Sequence, residues 1–165
     1  MVRAVQRRVD CDRLWMLRRS DGVIAHATQY VELLKAAGFG RDTVFMAILP
    51  LGHNYNLASP GLLGTFHAGG TVVIAAGTGI EATFALVERE RVSAIASVVP
   101  LISNWLNSDV PKRHDLSSLK VVQNGGARLA PELRIRLREQ LRCTPQEIYG
   151  TAEGLINMTR LDDPD

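Results

Sequence analysis

Residues 43–49, Thr43-Val-Phe-Met-Ala-Ile-Leu49, form an unbroken apolar run that stops at Pro50. Runs of this kind are typical of strands that are buried on both faces of a parallel sheet. Further apolar or β-prone runs follow along the chain, and we predict strands there too: Thr71–Ala75, Val92–Val99, Leu119–Gln123 and Gln146–Tyr149.

Helix-forming segments separate these strands. Gly38 and Gly40 are expected to end the first helix, and Ser59 is expected to cap the second, with Pro60 in its first turn. Strands that alternate with helices predict an α/β domain with a largely parallel sheet flanked by helices. The predicted helices are Ala27–Ala37, Ser59–His67, Ile80–Arg91, Pro100–Asn107 and Pro131–Leu141, with a surface loop over Ser108–Ser118.

Composition places the chain among ordinary soluble globular proteins. It has 165 residues, of which 46% are hydrophobic and 22% charged, enough for one domain with a core. The net charge is only +2, although residues 1–20 carry six arginines against Asp10 and Asp12. We interpret this basic head as a solvated terminus rather than a nucleic-acid surface.

Cysteine usage and hydropathy indicate a cytoplasmic protein. Cys11 and Cys143 lie far apart and have no metal-ligand spacing, so we expect two reduced, inert thiols. No apolar run approaches the length of about 18 residues that a membrane helix needs, and no membrane span is expected.

Three polar segments follow predicted strands. They are His53-Asn54-Tyr55, Asn124-Gly125-Gly126-Ala127 and Gly150-Thr151-Ala152-Glu153-Gly154. Ligands of open parallel sheets bind beyond the carboxyl ends of the strands, so these loops could meet one ligand. Glycines allow close approach of the backbone, and one carboxylate suits a phosphate-bound Mg²⁺.

Each segment also has a plain structural interpretation. The glycine pair could be a tight turn, and His53-Asn54-Tyr55 could be a capping loop with satisfied polar groups. Glu153 could simply favour a helix amino terminus. From the residues alone these alternatives stay open.

Taken together, the motifs resemble a known family. His53-Asn-Tyr-Asn-Leu-Ala-Ser-Pro-Gly61, Val122-Gln-Asn-Gly-Gly-Ala127 and Ile148-Tyr-Gly-Thr-Ala-Glu-Gly-Leu-Ile-Asn-Met-Thr-Arg-Leu-Asp-Asp-Pro164 look like the aryl-acid adenylating enzymes. These are the 2,3-dihydroxybenzoate–AMP and salicylate–AMP ligases of siderophore biosynthesis, in the adenylate-forming superfamily. The resemblance runs from about residue 26 to the last residue.

The resemblance implies a two-step activity. An aryl acid reacts with ATP, assisted by Mg²⁺, to give aryl-AMP, and the aryl group then passes to the phosphopantetheine thiol of a carrier protein. It implies no nucleic-acid or membrane partner. The protein would act mainly by positioning two anions and stabilising a charged transition state.

The family pattern also assigns roles to residues of this sequence. His53 would lie near the carboxylate and phosphates and, with Glu153, act in catalysis, while Glu153 would also bind Mg²⁺. Asn54 and Ser59 would hydrogen-bond ring hydroxyl groups, Gly126 would form the floor between the two ligands, and Tyr149 would stack on adenine. The aryl pocket would further include Tyr55, Ile148 and Ile156, and the nucleotide would further meet Gly125, Ala127, Gly150 and Thr151.

Two positions bear on the substrate. A hydroxyl at Ser59 suits the 3-hydroxyl group of dihydroxybenzoate, whereas the bulk of Ile156 favours salicylate. We favour 2,3-dihydroxybenzoate and keep salicylate as the alternative.

The sequence departs from the family at both ends. Residues 1–25 lack the family's Ser/Thr/Gly-rich phosphate loop and resemble a nonmatching basic leader, so residues 26–165 are expected to be a partial AMP-binding domain. A ribose-binding aspartate and a catalytic lysine are not matched either. We therefore expect an internal fragment that is inactive in isolation, with a non-catalytic adenylate-binding or protein-binding remnant as a further alternative.

Overall fold

A computed structural model describes residues 32–58, 60–150 and 156–163 of the protein. Helix α1 covers residues 32–37 of this part. The remaining elements are β1 (Val44–Ala47), α2 (Asn54–Ala58), α3 (Gly61–His67), β2 (Thr71–Ile74), α4 (Ile80–Glu90), β3 (Ala94–Ser97), α5 (Val99–Leu106), a 3₁₀ turn (Pro111–Arg113), β4 (Val121–Gly125), α6 (Pro131–Leu141), β5 (Thr144–Gly150) and β6 (Ile156–Met158).

The six strands form one sheet in the order β2-β1-β3-β4-β5-β6. Neighbouring strands from β2 to β5 run parallel, and β6 returns antiparallel to β5. The predicted α/β class with a largely parallel sheet is confirmed, and all five predicted strands are present. Strand β6 was not predicted, because three residues are too few to show an alternating pattern.

Helices cover both faces of the sheet. On one face α4, α5 and α6 bury apolar side chains against the strands. The rings of Phe84 and Trp105 pack edge to face there, with their centroids 5.6 Å apart. On the other face α2 and α3 pack onto a smaller cluster around Phe45. Side chains of a strand alternate between these two faces, which is why β1 and β3 read as continuously apolar.

The start of α3 differs from expectation. The residue that precedes the helix is Pro60, and no side chain of the described part of the chain caps the helix. The expected cap, Ser59, lies outside the described residues. The short helix α2 was not predicted, because five residues of mixed polarity carry no helical period. None of the helices in the described ranges is long and apolar enough to cross a membrane.

The carboxyl ends of the parallel strands lie at one edge of the sheet. At this edge β1 ends at Ala47, β3 at Ser97, β4 at Gly125 and β5 at Gly150. The fold therefore brings the loops that follow these strands to the same side of the molecule.

Candidate functional site

The loop after β1 is held by two side chains. The Asn56 amide Nδ2 donates to the Leu49 carbonyl oxygen at 2.6 Å, which fastens α2 to the end of the strand. The Tyr55 backbone N–H donates to Nδ1 of His53 at 3.2 Å, so His53 caps the first turn of α2. In the neutral imidazole this leaves Nε2 as the protonated nitrogen.

Tyr55 joins this loop to the two central strands. Its hydroxyl donates to the Ser97 carbonyl oxygen at 3.2 Å, at the end of β3. Its ring lies against Gly125, where a β-carbon would come within 2.9 Å of two ring atoms. Burial raises the pKa of the Tyr55 hydroxyl far above its ordinary value, so this side chain is a neutral donor and no acid–base group.

The turn after β4 presents open backbone. Gly126 has a φ of +81°, a conformation that favours glycine, and no atom of the described residues lies within 4 Å of the position where its β-carbon would be. The Asn124 amide Nδ2 donates to the Ala127 carbonyl oxygen across this turn at 2.6 Å. Gly126 and Ala127 are both exposed, so a flat ligand could approach the turn closely.

Strand β5 continues this surface. Ile148 pairs with Gly125 in the parallel ladder and is 7% exposed, on the face that carries Tyr55. The next residue, Tyr149, is 68% exposed, an unusual position for a large aromatic side chain. Gly150 ends the strand and is exposed as well. The exposed ring of Tyr149 thus lies next to the turn at Gly126.

Two buried glutamines join β4 to β5 within the sheet, and sequence reasoning missed them. Gln123 Nε2 donates to Gln146 Oε1 at 2.9 Å. Gln146 Nε2 in turn lies 2.7 Å from the carbonyl oxygens of Ala36 and Thr159, which ties α1 and the segment after β6 to the sheet. The available signal was a glutamine inside each of two β-prone runs, where a buried amide must find partners.

The structure brings most of the predicted site residues to one edge of the sheet. Ile156 opens β6 opposite Gly150 and is half-buried. Asn54 begins α2, but its side chain lies outside the described part, as do Ser59, Thr151 and Glu153. The residues that lie at this edge are His53, Tyr55, Gly125, Gly126, Ala127, Ile148, Tyr149 and Gly150.

The predicted magnesium ligand stays a prediction, because Glu153 is not described. Within residues 32–58, 60–150 and 156–163, no three His, Cys, Asp or Glu side chains are grouped so that they could hold a metal. A cavity of about 240 Å³ lies elsewhere, at the amino ends of β3 and β4, between Arg41, Lys120 and Leu161. It belongs to the opposite edge of the sheet from the predicted site.

Comparison with known proteins points in one direction. The family model described as AMP-binding enzyme matches residues 16–165. The chain is 47% identical over 124 residues to the 2,3-dihydroxybenzoate-AMP ligase of Bacillus subtilis, covering 75% of this chain and 23% of that protein. It is 48% identical over 132 residues to the 2-hydroxy-7-methoxy-5-methyl-1-naphthoate–CoA ligase of Streptomyces carzinostaticus, covering 79% of this chain and 24% of that protein.

A solved structure agrees with the sequence relatives. The apo structure of MbtA from Mycobacterium smegmatis superposes with a TM-score of 0.71 at 35% identity, covering 80% of this chain and 24% of that one. The chain thus spans about a quarter of the length of the relatives that it matches.

Proposed function

This chain belongs to the AMP-binding enzyme family, and we propose that it carries the aryl-acid and adenine subsites of an aryl acid–AMP ligase. The favoured substrate is 2,3-dihydroxybenzoate, with salicylate as the alternative. The named relatives support this choice, since one is a 2,3-dihydroxybenzoate-AMP ligase and another acts on a hydroxylated naphthoate.

The observation that carries the proposal is the contact of Tyr55 with Gly125, beside Gly126, whose β-carbon position has no neighbour within 4 Å in the described ranges. Tyr55 from the loop after β1 would form one wall of the site, and the glycine turn after β4 would form its floor. The aryl ring and the adenine could then lie on opposite sides of this turn. The exposed ring of Tyr149 offers a stacking surface on the nucleotide side. Ile148 offers an apolar contact on the face that carries Tyr55.

In the proposed reaction, a carboxylate oxygen of the aryl acid bonds to the α-phosphorus of ATP as the bond to pyrophosphate breaks. Acceleration of such a step comes mainly from alignment and from stabilisation of phosphoryl charge. We propose that Nε2 of His53 donates to the carboxylate or phosphate oxygens, and that the capping bond from Tyr55 selects this tautomer.

The remaining roles follow the family pattern. We propose that Asn54 and Ser59 hydrogen-bond the ring hydroxyl groups and that Ile156 borders the aryl pocket. On the nucleotide side, Ala127, Gly150 and Thr151 would meet the adenylate, and Glu153 would bind Mg²⁺, which supplies charge neutralisation when bound. In the second step the aryl carbonyl carbon bonds to the thiol sulfur of a carrier protein's phosphopantetheine as AMP leaves.

Binding calorimetry tests the proposal on the 165-residue chain. The probes are sulfamoyl analogues of 2,3-dihydroxybenzoyl-adenylate, salicyl-adenylate and benzoyl-adenylate, which cannot be hydrolysed like the natural mixed anhydride. We expect the dihydroxybenzoyl analogue to bind tightest and the benzoyl analogue weakest, because a site built for hydroxyl groups is left with unpaired polar groups otherwise.

A matched pair of variants locates the site. Gly126→Val places a branched side chain in the open space of the turn, at a positive φ that valine rarely adopts, and should weaken binding at least about tenfold. Gly77→Val changes an exposed glycine whose β-carbon position has no atom of the described chain segments within 4 Å, and it should leave binding unchanged. The proposal fails if no analogue binds, or if both variants bind as the unaltered chain does.

A further inference from the structure

We propose that Asn124 is a positioning residue that holds the turn Gly125-Gly126-Ala127 in the shape that the ligand meets. The consequence for binding rests on the proposed function, whereas the effect on the turn itself does not. No ligand contact is assigned to Asn124, because its side chain is buried on the other face of the sheet from Tyr55.

The bond across the turn is the first argument. Asn124 is 1% exposed and is the last residue but one of β4. Its Nδ2 reaches forward three residues to the Ala127 carbonyl oxygen at 2.6 Å. This closes a ring around Gly126, the residue with a φ of +81°.

Within the ranges that the structure describes, few other bonds hold the turn. Within residues 60–150, none of residues 126–128 makes a backbone–backbone hydrogen bond other than through the strand ladder. All three residues are exposed. Without the bond from Asn124, a glycine-containing segment of this kind would sample many conformations. The conformational entropy of those states would be lost when a ligand binds.

The unpaired oxygen of the same amide is the second argument. Asn124 Oδ1 is buried and has no hydrogen-bond partner in the described part of the chain. A buried acceptor without a partner destabilises the fold, so an apolar side chain of similar size would serve the strand better. The bond from Nδ2 to the Ala127 carbonyl oxygen is therefore the reason for an amide side chain at this position.

The neighbouring strand supplies a matched control. Ser97 is the register partner of Asn124, is fully buried, and its side chain lies on the same face of the sheet. Its hydroxyl has no hydrogen-bond partner among residues 32–58, 60–150 and 156–163. Ser97→Ala therefore removes a buried polar group beside Asn124 without removing a bond to the turn.

The experiment compares Asn124→Leu with Ser97→Ala in the 165-residue chain. Backbone ¹⁵N order parameters of residues 126–128 are measured by NMR relaxation, together with thermal unfolding and the affinity for the dihydroxybenzoyl sulfamoyl-adenosine analogue. We expect Asn124→Leu to lower the order parameters in the turn and to weaken binding by about tenfold, with the order parameters of β3 and the melting temperature little changed. Ser97→Ala should change none of these.

Each result decides the proposal. Unchanged order parameters at residues 126–128 in Asn124→Leu overturn it, whatever happens to binding. Lower order parameters with unaltered affinity also overturn it, since the bond would then hold the turn without affecting binding. Lower order parameters in a chain that binds no analogue support the role of the bond and reject the proposed function instead. If Asn124→Leu does not fold, Asn124→Ser, whose hydroxyl is too short to span the turn, takes its place.

Discussion

The ring of Tyr55 occupies the space that a side chain at residue 125 would need, because a β-carbon on Gly125 would lie 2.9 Å from ring atoms Cε1 and Cζ. This contact joins the loop after β1 to the end of β4, across the carbonyl of Ser97 on the strand between them. Two loops that are distant in sequence are thereby fixed relative to each other.

Gly125→Ala should destabilise the protein by roughly 1–3 kcal/mol, since the added methyl group overlaps a well-packed ring. Urea denaturation followed by circular dichroism measures the change. Gly77→Ala, at an exposed glycine with free space around it, should stay within about 0.5 kcal/mol of the unaltered chain. Equal stability of the two variants would contradict the packing described for Tyr55.

Asn56→Ala should cost roughly 1–3 kcal/mol, because it removes the amide that pairs with the Leu49 carbonyl. Asn56 is fully buried, so water cannot readily replace the lost donor. The same denaturation assay applies, and Asn56→Asp keeps the shape while removing the donor. A stable Asn56→Asp variant would show that the bond to Leu49 contributes little.

Gln146→Leu should open the β5–β6 edge of the sheet, because one amide group supports contacts to Gln123, Ala36 and Thr159. We expect a loss of roughly 2–4 kcal/mol, more than a single bond, since several buried polar groups lose partners together. Hydrogen exchange should rise in β5 and β6 before it rises in β1. Lys35→Ala, which breaks an exposed ion pair with Glu32, serves as a control with a change near zero.

Cys143 should be chemically silent in the folded protein. Burial raises the pKa of its thiol from 9.0 to about 12, so almost no thiolate exists at pH 8. In a Cys11→Ser background, alkylation by iodoacetamide should be roughly 10³-fold slower in buffer than in urea, where the thiol regains its ordinary pKa. Rapid labelling of the native chain would show that this side chain is accessible.

The same shift predicts how stability depends on alkaline pH. The folded state holds the Cys143 proton more tightly than the unfolded state, so the contribution to stability is complete below about pH 9. It is lost as the pH rises from 9 towards 12. Cys143→Ala should reduce this alkaline loss relative to the unaltered chain, measured by urea denaturation at a series of pH values.

The strands and the sheet class could be predicted because their signal is local. The run ending at Pro50 contains enough consecutive apolar residues to indicate a strand buried on both faces, and Pro131 at the start of α6 marks a helix in the same way. The elements that were missed, α2 and β6, are short, and contacts from elsewhere hold them. For α2 these are the bond to Leu49 and the packing of Tyr55.

The candidate site also has features that the local sequence predicts and features that depend on contacts between distant segments. Residue type and order identify the segments that carry Tyr55, Gly126 and Tyr149, because glycine pairs and polar residues near strand ends indicate close backbone approach and hydrogen bonding. The contacts that these segments make with other residues cannot be predicted from the local sequence. Asn124 with Ala127 requires a particular turn geometry, and Gln146 with Ala36 requires two segments that only the folded sheet brings within hydrogen-bond distance.

Local chain chemistry thus settled which segments become strands and helices, since hydrophobic period and turn residues act over a few positions. Three-dimensional packing alone settled that Tyr55 rests on Gly125 and that the buried amides of Asn56 and Asn124 fasten loops at the carboxyl edge of the sheet. The physical reason is the range of the interactions: propensity acts within one element, whereas close packing and the satisfaction of buried polar groups depend on which elements meet.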